Sequence, residues 1–204
     1  MEQLLVIQSS LFAGEGQSSK LAQAYVQRWT ERHPEGQVAH RDLAADPIDH
    51  LSAETFQGFG LAPEERNATQ QRAAERSDAL IAELRSADEI VIALPMYNFS
   101  LPSTFKAWMD HVARVGITFK YTDSGAVGLL EDRPVTVFAA RGGVYRGTPN
   151  DTQSPLVKTF LGFIGLESVR FVYAEGLALG PDSAEQSLNT AHEEIAQLNL
   201  DELA

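Results

Sequence analysis

Three short stretches of this chain hold residues that could grip a ligand. The first is Gln8-Ser9-Ser10-Leu11-Phe12-Ala13-Gly14-Glu15-Gly16-Gln17-Ser18-Ser19. It follows an apolar run and leads into a helical pattern. Hydroxyls and free backbone N–H groups converge at such a helix start, and the helix dipole adds to them, so a phosphate could be held there. A plain helix cap made by Ser18 or Ser19 competes evenly with that reading. The second stretch is Pro95-Met96-Tyr97-Asn98-Phe99-Ser100-Leu101-Pro102. Backbone N–H groups held there could meet the edge of a flat ring, flanked by Tyr97 and Phe99, with Asn98 offering both donor and acceptor. An ordinary strand-to-helix connection with aromatics in the core would read the same way. The third is Ala140-Arg141-Gly142-Gly143-Val144-Tyr145. Paired glycines let backbone approach a ligand closely, though they equally make a turn.

Other chemistries find less support. Gly14-x-Gly16 imitates the start of a dinucleotide fingerprint, with Asp42 in the place of a ribose-binding acid. Ser19 occupies the third glycine position, however, and the motif begins too late after the apolar run for a tight turn. His33, His40, His50 and His111 share no metal spacing, and His192-Glu193-Glu194 is followed by Ala196 where a zinc motif needs histidine. All five histidines are read as structural or solvated and no metal is expected, with only a weak role for His111 in acceptor protonation. Lys106 and Arg114 are read as solvated or ion-paired surface groups. The chain has no cysteine and no Gly-x-Ser-x-Gly elbow, which removes thiol chemistry and gives serine hydrolysis no support.

Elements of two kinds must position these stretches. Leu4 to Ile7, Val38 to Leu43, Glu89 to Leu94, Val135 to Ala139 and Val169 to Tyr173 read as strands. Leu21, Tyr25, Val26 and Trp29 share one helical stripe. So do Leu80, Ile81 and Leu84 within Asn67 to Arg85; Leu101, Phe105, Trp108, Met109 and Val112; Leu156, Phe160, Phe163 and Ile164; and Leu188, Ala191, Ile195 and Leu198. Strict alternation of this kind predicts an α/β fold, a parallel sheet covered by helices on both faces. Ligands of such sheets sit beyond the carboxyl ends of the strands. All three stretches lie there. Ala44 to Glu65 and Gly116 to Arg133 read as long loops, which in compact domains are often functional.

The bulk numbers set limits. Length fits one domain over 1–204. A net charge of −12 repels phosphate backbones, so nucleic acid is not an expected partner. No apolar run reaches the ~20 residues that span a bilayer, and Met1 to Ile7 lacks the basic flank of an export signal. A cytoplasmic protein that does not bind membranes is expected.

At Pro95-Met96-Tyr97-Asn98-Phe99, Arg114-Val115-Gly116-Ile117-Thr118-Phe119 and Phe160-Leu161-Gly162-Phe163-Ile164-Gly165 the chain resembles the FMN-dependent NADH-azoreductases, within the flavodoxin-like NAD(P)H:quinone oxidoreductases. The resemblance runs from Ser9-Ser10 to Ala174-Glu175-Gly176. It implies a three-layer α/β/α flavodoxin-like fold with a five-stranded parallel sheet in the order 2-1-3-4-5. It implies a homodimer with one FMN per subunit at the interface. NADH or NADPH would reduce the flavin, and quinone, azo or nitroaromatic acceptors would take two electrons by a ping-pong cycle. By matching motif, Ser10, Gly16, Gln17 and Ser18 fall to the FMN phosphate. Met96, Tyr97, Asn98 and Phe99 fall to one edge of the isoalloxazine, and Ala140, Arg141, Gly142 and Gly143 to the other. The backbone N–H groups of Gly142 and Gly143 are the expected donors to the flavin where charge grows on reduction. Tyr121 and Phe163 would stack over the flavin face, from opposite subunits, with Asn98 also touching substrate. Gly16 and Ala140 stand where the family often has serine. The alternative function is a non-catalytic flavodoxin-type electron carrier or a flavin-binding regulatory protein.

Overall fold

The computed structural model describes residues 1–198. The single-domain expectation therefore runs past the described residues at 199–204.

Apolar runs buried on both sides build the centre of the sheet. Strand β1 (Gln3–Gln8) sends Leu5 and Ile7 to one face and Leu4 and Val6 to the other, all at most 2% exposed. β3 (Glu89–Pro95) and β6 (Val135–Ala140) do the same, with Ile90, Ile92, Val135 and Val137 on the first face and Val91, Ala93 and Phe138 on the second. The other two strands of this sheet are β2 (Gln37–Asp42) and β7 (Val169–Ala174). The order is β2-β1-β3-β6-β7 and every pair is parallel. Counted within this sheet alone, that is the expected 2-1-3-4-5.

Helices cover both faces. Against Leu5 and Ile7 pack α3 (Ala68–Ser86), α4 (Ser103–Val112) and α5 (Gln153–Ile164), through Leu80, Leu84, Phe105, Trp108, Val157 and Leu161. Against Leu4 and Val6 pack α1 (Gln17–Arg32) and α6 (Pro181–Gln197), through Leu21, Tyr25, Trp29, Ala191 and Ile195. The result is the three-layer α/β/α sandwich. No described helix is long and apolar enough to cross a membrane.

Both stretches read as loops hold structure. Ala44 to Glu65 contains α2 (Ala53–Phe59), capped where Ser52 Oγ accepts from Thr55 N–H at 3.1 Å, and a 3-10 turn at Pro63–Glu65. Gly116 to Arg133 contains an antiparallel hairpin of β4 (Phe119–Thr122) and β5 (Gly125–Gly128). The hairpin is anchored at the end of α5. Leu130 N–H donates to Ile164 O at 3.0 Å, and the Phe119 and Phe163 rings lie 4.2 Å apart. A side chain at Gly128 would strike the Gly165 backbone, so the two chains meet glycine to glycine.

Candidate functional site

The sheet's strand order reverses at β1, which has β2 on one side and β3 on the other. Ligands of open α/β sheets bind beyond the strand ends at such a switch. The three stretches converge there, and side chains tie them to the sheet and to one another. Ser9 Oγ donates to Ala93 O at 3.0 Å, from β1 to β3. The Tyr97 hydroxyl accepts from Leu11 N–H at 3.2 Å, joining the first loop to the second. Met96 N–H donates to Ala140 O at 2.9 Å, joining the second to the third.

The start of α1 differs from its neighbours. Helix α3 is closed by a capping box in which Asn67 Oδ1 accepts from Thr69 and Gln70 N–H, both at 3.0 Å, and Gln70 Oε1 accepts from Asn67 N–H. The residue before α1 is Gly16, which has no side chain to cap with. The first helical bond runs from Lys20 N–H to Gly16 O, so the N–H groups of Gln17, Ser18 and Ser19 have no partner among the described residues. The hydroxyls of Ser18 and Ser19 are buried and unbonded. A plain cap by either serine is therefore excluded. An unpaired buried hydroxyl costs about 1–3 kcal/mol, and two of them beside three free N–H groups form a cradle for an anion. Ser10 lines it from the β1 side, with Oγ accepting from Phe12 N–H at 3.2 Å. A Cβ at position 16 would meet that Oγ, so a side chain here requires Ser10 to shift. Ser10, Gly16, Gln17 and Ser18 thus stand together at this uncapped helix start.

The second loop stores strain. Tyr97 and Ser100 exchange backbone bonds at 3.1 and 3.0 Å around Asn98 and Phe99, whose φ values are +50° and +62°. Left-handed backbone at a bulky residue costs on the order of 1–3 kcal/mol and persists where its surroundings hold it. Here Thr152 Oγ1 donates to Phe99 O, and the Phe99 ring meets the edge of Tyr145 at 5.3 Å. The turn leaves the N–H groups of Asn98 and Phe99 without partners among the described residues. In the third loop the N–H groups of Gly142 and Gly143 are likewise without partners, and a side chain at Gly143 would meet the Tyr145 ring at 2.6 Å.

The structure places Arg141 in a different role from its neighbours. Its side chain is fully buried and turned into the protein. Nη1 donates to Glu175 Oε1 at 3.0 Å, and Nη2 donates to Asp151 Oδ1 at 3.0 Å and to Ser154 Oγ at 2.7 Å. Nε reaches Gln153 Oε1 at 3.3 Å, and Gln153 Nε2 donates to Pro95 O at 2.9 Å. Glu175 Oε1 also accepts from the N–H groups of Tyr145 and Arg146, both at 2.9 Å. Arg141 is thus a buried post around which the third loop is wound. Burial alone pushes the Asp151 carboxyl up. Bonds from Ser154 N–H, the Arg141 guanidinium and the Ser154 hydroxyl outweigh that and hold it below the usual carboxylate range. Asp151, Gln153, Glu175 and Tyr145 were not expected from sequence. The one available signal was Asp151-x-x-Ser154 ahead of an apolar run, a helix-start pattern; indeed Asp151 Oδ1 accepts from Ser154 N–H at 3.0 Å.

Two expected residues are not brought to the loops of their own chain. Phe163 lies near the C-terminal end of α5, about 15 Å of helix from Gln153 at its start. Tyr121 accompanies it on the hairpin, beside Phe119 at 5.5 Å and 73% exposed. Two other expectations need correction. Arg114 is buried, with Nη1 donating to Ser77 Oγ at 2.9 Å and to Asp78 at 3.2 Å, because α4 ends before it and turns it under α3. His111 is also buried, its Nδ1 at 2.9 Å from Ala107 O, and it lines a cavity of 340 Å³ with Ile48, Thr55 and Arg72 away from the three loops. That position leaves it no part in acceptor protonation within its own chain. Lys106 pairs with Asp110 on the surface.

An uncapped helix start and two donor-bearing loops, at the switch point of a 2-1-3-4-5 parallel sheet, define a flavodoxin-like binding domain. The family model described as a flavodoxin-like fold matches residues 2–198, and the chain belongs to that family. It is 49% identical over 197 residues to an FMN-dependent NADH:quinone oxidoreductase of Cellvibrio japonicus, covering 97% of this chain and 98% of the relative. It is 50% identical over 192 residues to a protein of the same description from Alcanivorax borkumensis, covering 94% and 97%. Among solved structures it resembles an azoreductase from Bacillus anthracis, with TM-score 0.87, 28% identity and coverage of 97% and 98%.

Proposed function

We propose that this protein is an FMN-dependent oxidoreductase that takes hydride from NADH or NADPH and passes two electrons to quinone, azo or nitroaromatic acceptors in a ping-pong cycle. The observation that carries this reading is the pair of orphaned hydroxyls, Ser18 and Ser19, at an α1 start whose N–H groups are free. When bound, FMN supplies the hydride chemistry, and the protein supplies position and charge. Ser10, Ser18 and the N–H groups of Gln17 to Ser19 hold the phosphate. Met96 and Tyr97 line the ring slot, and the N–H groups of Asn98 and Phe99 meet one ring edge. The N–H groups of Gly142 and Gly143 face the other edge, where negative charge grows on reduction. The Arg141 side chain does not touch the ring; it fixes the backbone that does.

The working unit of this reading is a homodimer of single-domain subunits, residues 1–204, in the cytoplasm. An exposed Tyr121 on a hairpin far from its own loops supports it. The activity itself is supported by 50% identity to a relative named for it. Tyr121 and Phe163, set beside the same Phe119 ring, would roof the partner's slot together and not from opposite subunits, and no nucleic acid or membrane takes part. The test is the absorbance of purified protein followed by anaerobic NADH titration. Flavin bands that bleach with NADH and return with benzoquinone are expected. A colourless protein that takes up no added FMN would overturn the reading.

A further inference from the structure

The reading above leaves open what holds the rest of the nicotinamide dinucleotide, which carries at least two negative charges on its pyrophosphate. The protein itself has a net charge of −12, so its general field repels that substrate. The three loops and the residue that follows the third contain two cations, Arg141 and Arg146. The first is buried and committed to Asp151 and Glu175. The nearest cation on α1, Lys20, pairs with Glu15 at 3.0 Å. Of these three cations, Arg146 alone is both exposed and without a carboxylate partner among the described residues.

Its setting is specific. The backbone N–H of Arg146 donates to Glu175 Oε1 at 2.9 Å, yet its guanidinium does not pair with that carboxylate. The guanidinium carbon lies instead 4.7 Å from the centroid of the Tyr173 ring. Contact with an aromatic face holds the group in place and leaves N–H groups free to take a phosphate by paired hydrogen bonds. Tyr173 is itself fixed, its hydroxyl 3.0 Å from Ser154 Oγ. It belongs to the edge strand β7, three strands from β1 and so roughly 14 Å from the switch point. A recogniser of the pyrophosphate must stand to one side of the ring slot by some such distance, since the reacting nicotinamide occupies the slot.

We propose that Arg146, presented by Tyr173, is the binding residue for the pyrophosphate of NADH or NADPH. The inference rests on the function proposed above. It is tested with Arg146→Gln and Arg146→Lys holoenzymes, by calorimetric titration with ADP-ribose and by steady-state kinetics with NADH and benzoquinone. Arg146→Gln is expected to weaken ADP-ribose binding and to raise the KM for NADH by about tenfold, as befits one charge-assisted pair. The FMN content, the KM for benzoquinone and kcat should stay put. Arg146→Lys, which keeps the charge and loses the fork, should fall between. Salt should raise the KM for NADH of the wild type relative to that of Arg146→Gln, because it screens an attraction the variant lacks. Unchanged ADP-ribose affinity and NADH KM in Arg146→Gln would overturn the assignment. So would a shared loss of FMN and thermal stability in both variants, which would make Arg146 a tie for the loop. A wild type that never oxidises NADH would sink the proposed function itself, a result distinct from either.

Discussion

Ser18 and Ser19 are buried hydroxyls with nothing to bond, and that sets up opposite effects on folding and on binding. Removing an unsatisfied buried polar group is neutral or stabilising, while removing a donor from an anion cradle weakens the anion's hold. Ser18→Ala should therefore leave the melting temperature of the flavin-free protein unchanged or higher. The same variant should bind FMN about tenfold more weakly by fluorescence titration. A drop in both would mean the hydroxyl has a partner inside the protein. Arg141 gives the contrary case. Arg141→Met would strand the Asp151 and Glu175 carboxylates, whose side chains are 8% and 12% exposed, without their cation. Breaking a buried pair this way costs about 3–5 kcal/mol, readable as a shift in urea midpoint. The pH dependence follows from Asp151. Its folded pKa is depressed, so its contribution is present above the ordinary carboxylate pKa of about 3.9 and is lost as pH falls below it. Asp151→Asn should flatten that acid limb of the stability curve in urea unfolding. The depressed carboxyls of Asp46 and Asp132 leave a remaining slope.

The hairpin of β4 and β5 depends on Gly128 and Gly165 touching backbone to backbone. Gly165 sits at φ +109° and closes α5, so a side chain there adds backbone strain to a collision with Leu130 O. Gly128→Ala should cost about 1–3 kcal/mol by overpacking, seen as a lower melting temperature. The hairpin was invisible in sequence for a related reason. Its strands are four residues each and almost wholly exposed, so no apolar alternation marks them. Only Thr122-Asp123-Ser124-Gly125 hinted at a turn. Helix α2 escaped for want of a stripe: seven residues long, it leaves Phe56 67% exposed. By contrast β1, β3 and β6 are buried on both faces, and that burial writes itself as an unbroken apolar run. The parallel sheet and the place of the three loops at its carboxyl end followed from those runs, and the strand order from the family resemblance. The Arg141 post did not, because its partners lie 10, 12, 13 and 34 residues away and no local pattern encodes them.

At the scale of the whole molecule the open matter is whose site Tyr121 serves. It stands on a hairpin at the far end of α5 from its own three loops, which argues for service to a second copy. Subunit complementation decides the point. Ser18→Asp would put a carboxylate into the phosphate cradle and disable the cradle of its own chain. Tyr121→Ala would remove only what the hairpin contributes. Each variant alone should be nearly inactive. If Tyr121 works in the partner's slot, a hybrid of the two has one complete site, built from the intact cradle of the Tyr121→Ala chain and the intact hairpin of the Ser18→Asp chain. Random exchange makes half the dimers hybrid, each with one of two sites working, so roughly a quarter of wild-type NADH:benzoquinone activity should appear on mixing and re-equilibrating the subunits. If Tyr121 serves its own chain, every site in the hybrid carries one defect and mixing restores nothing. The hybrid therefore tests shared sites directly, where a measured mass would test association alone.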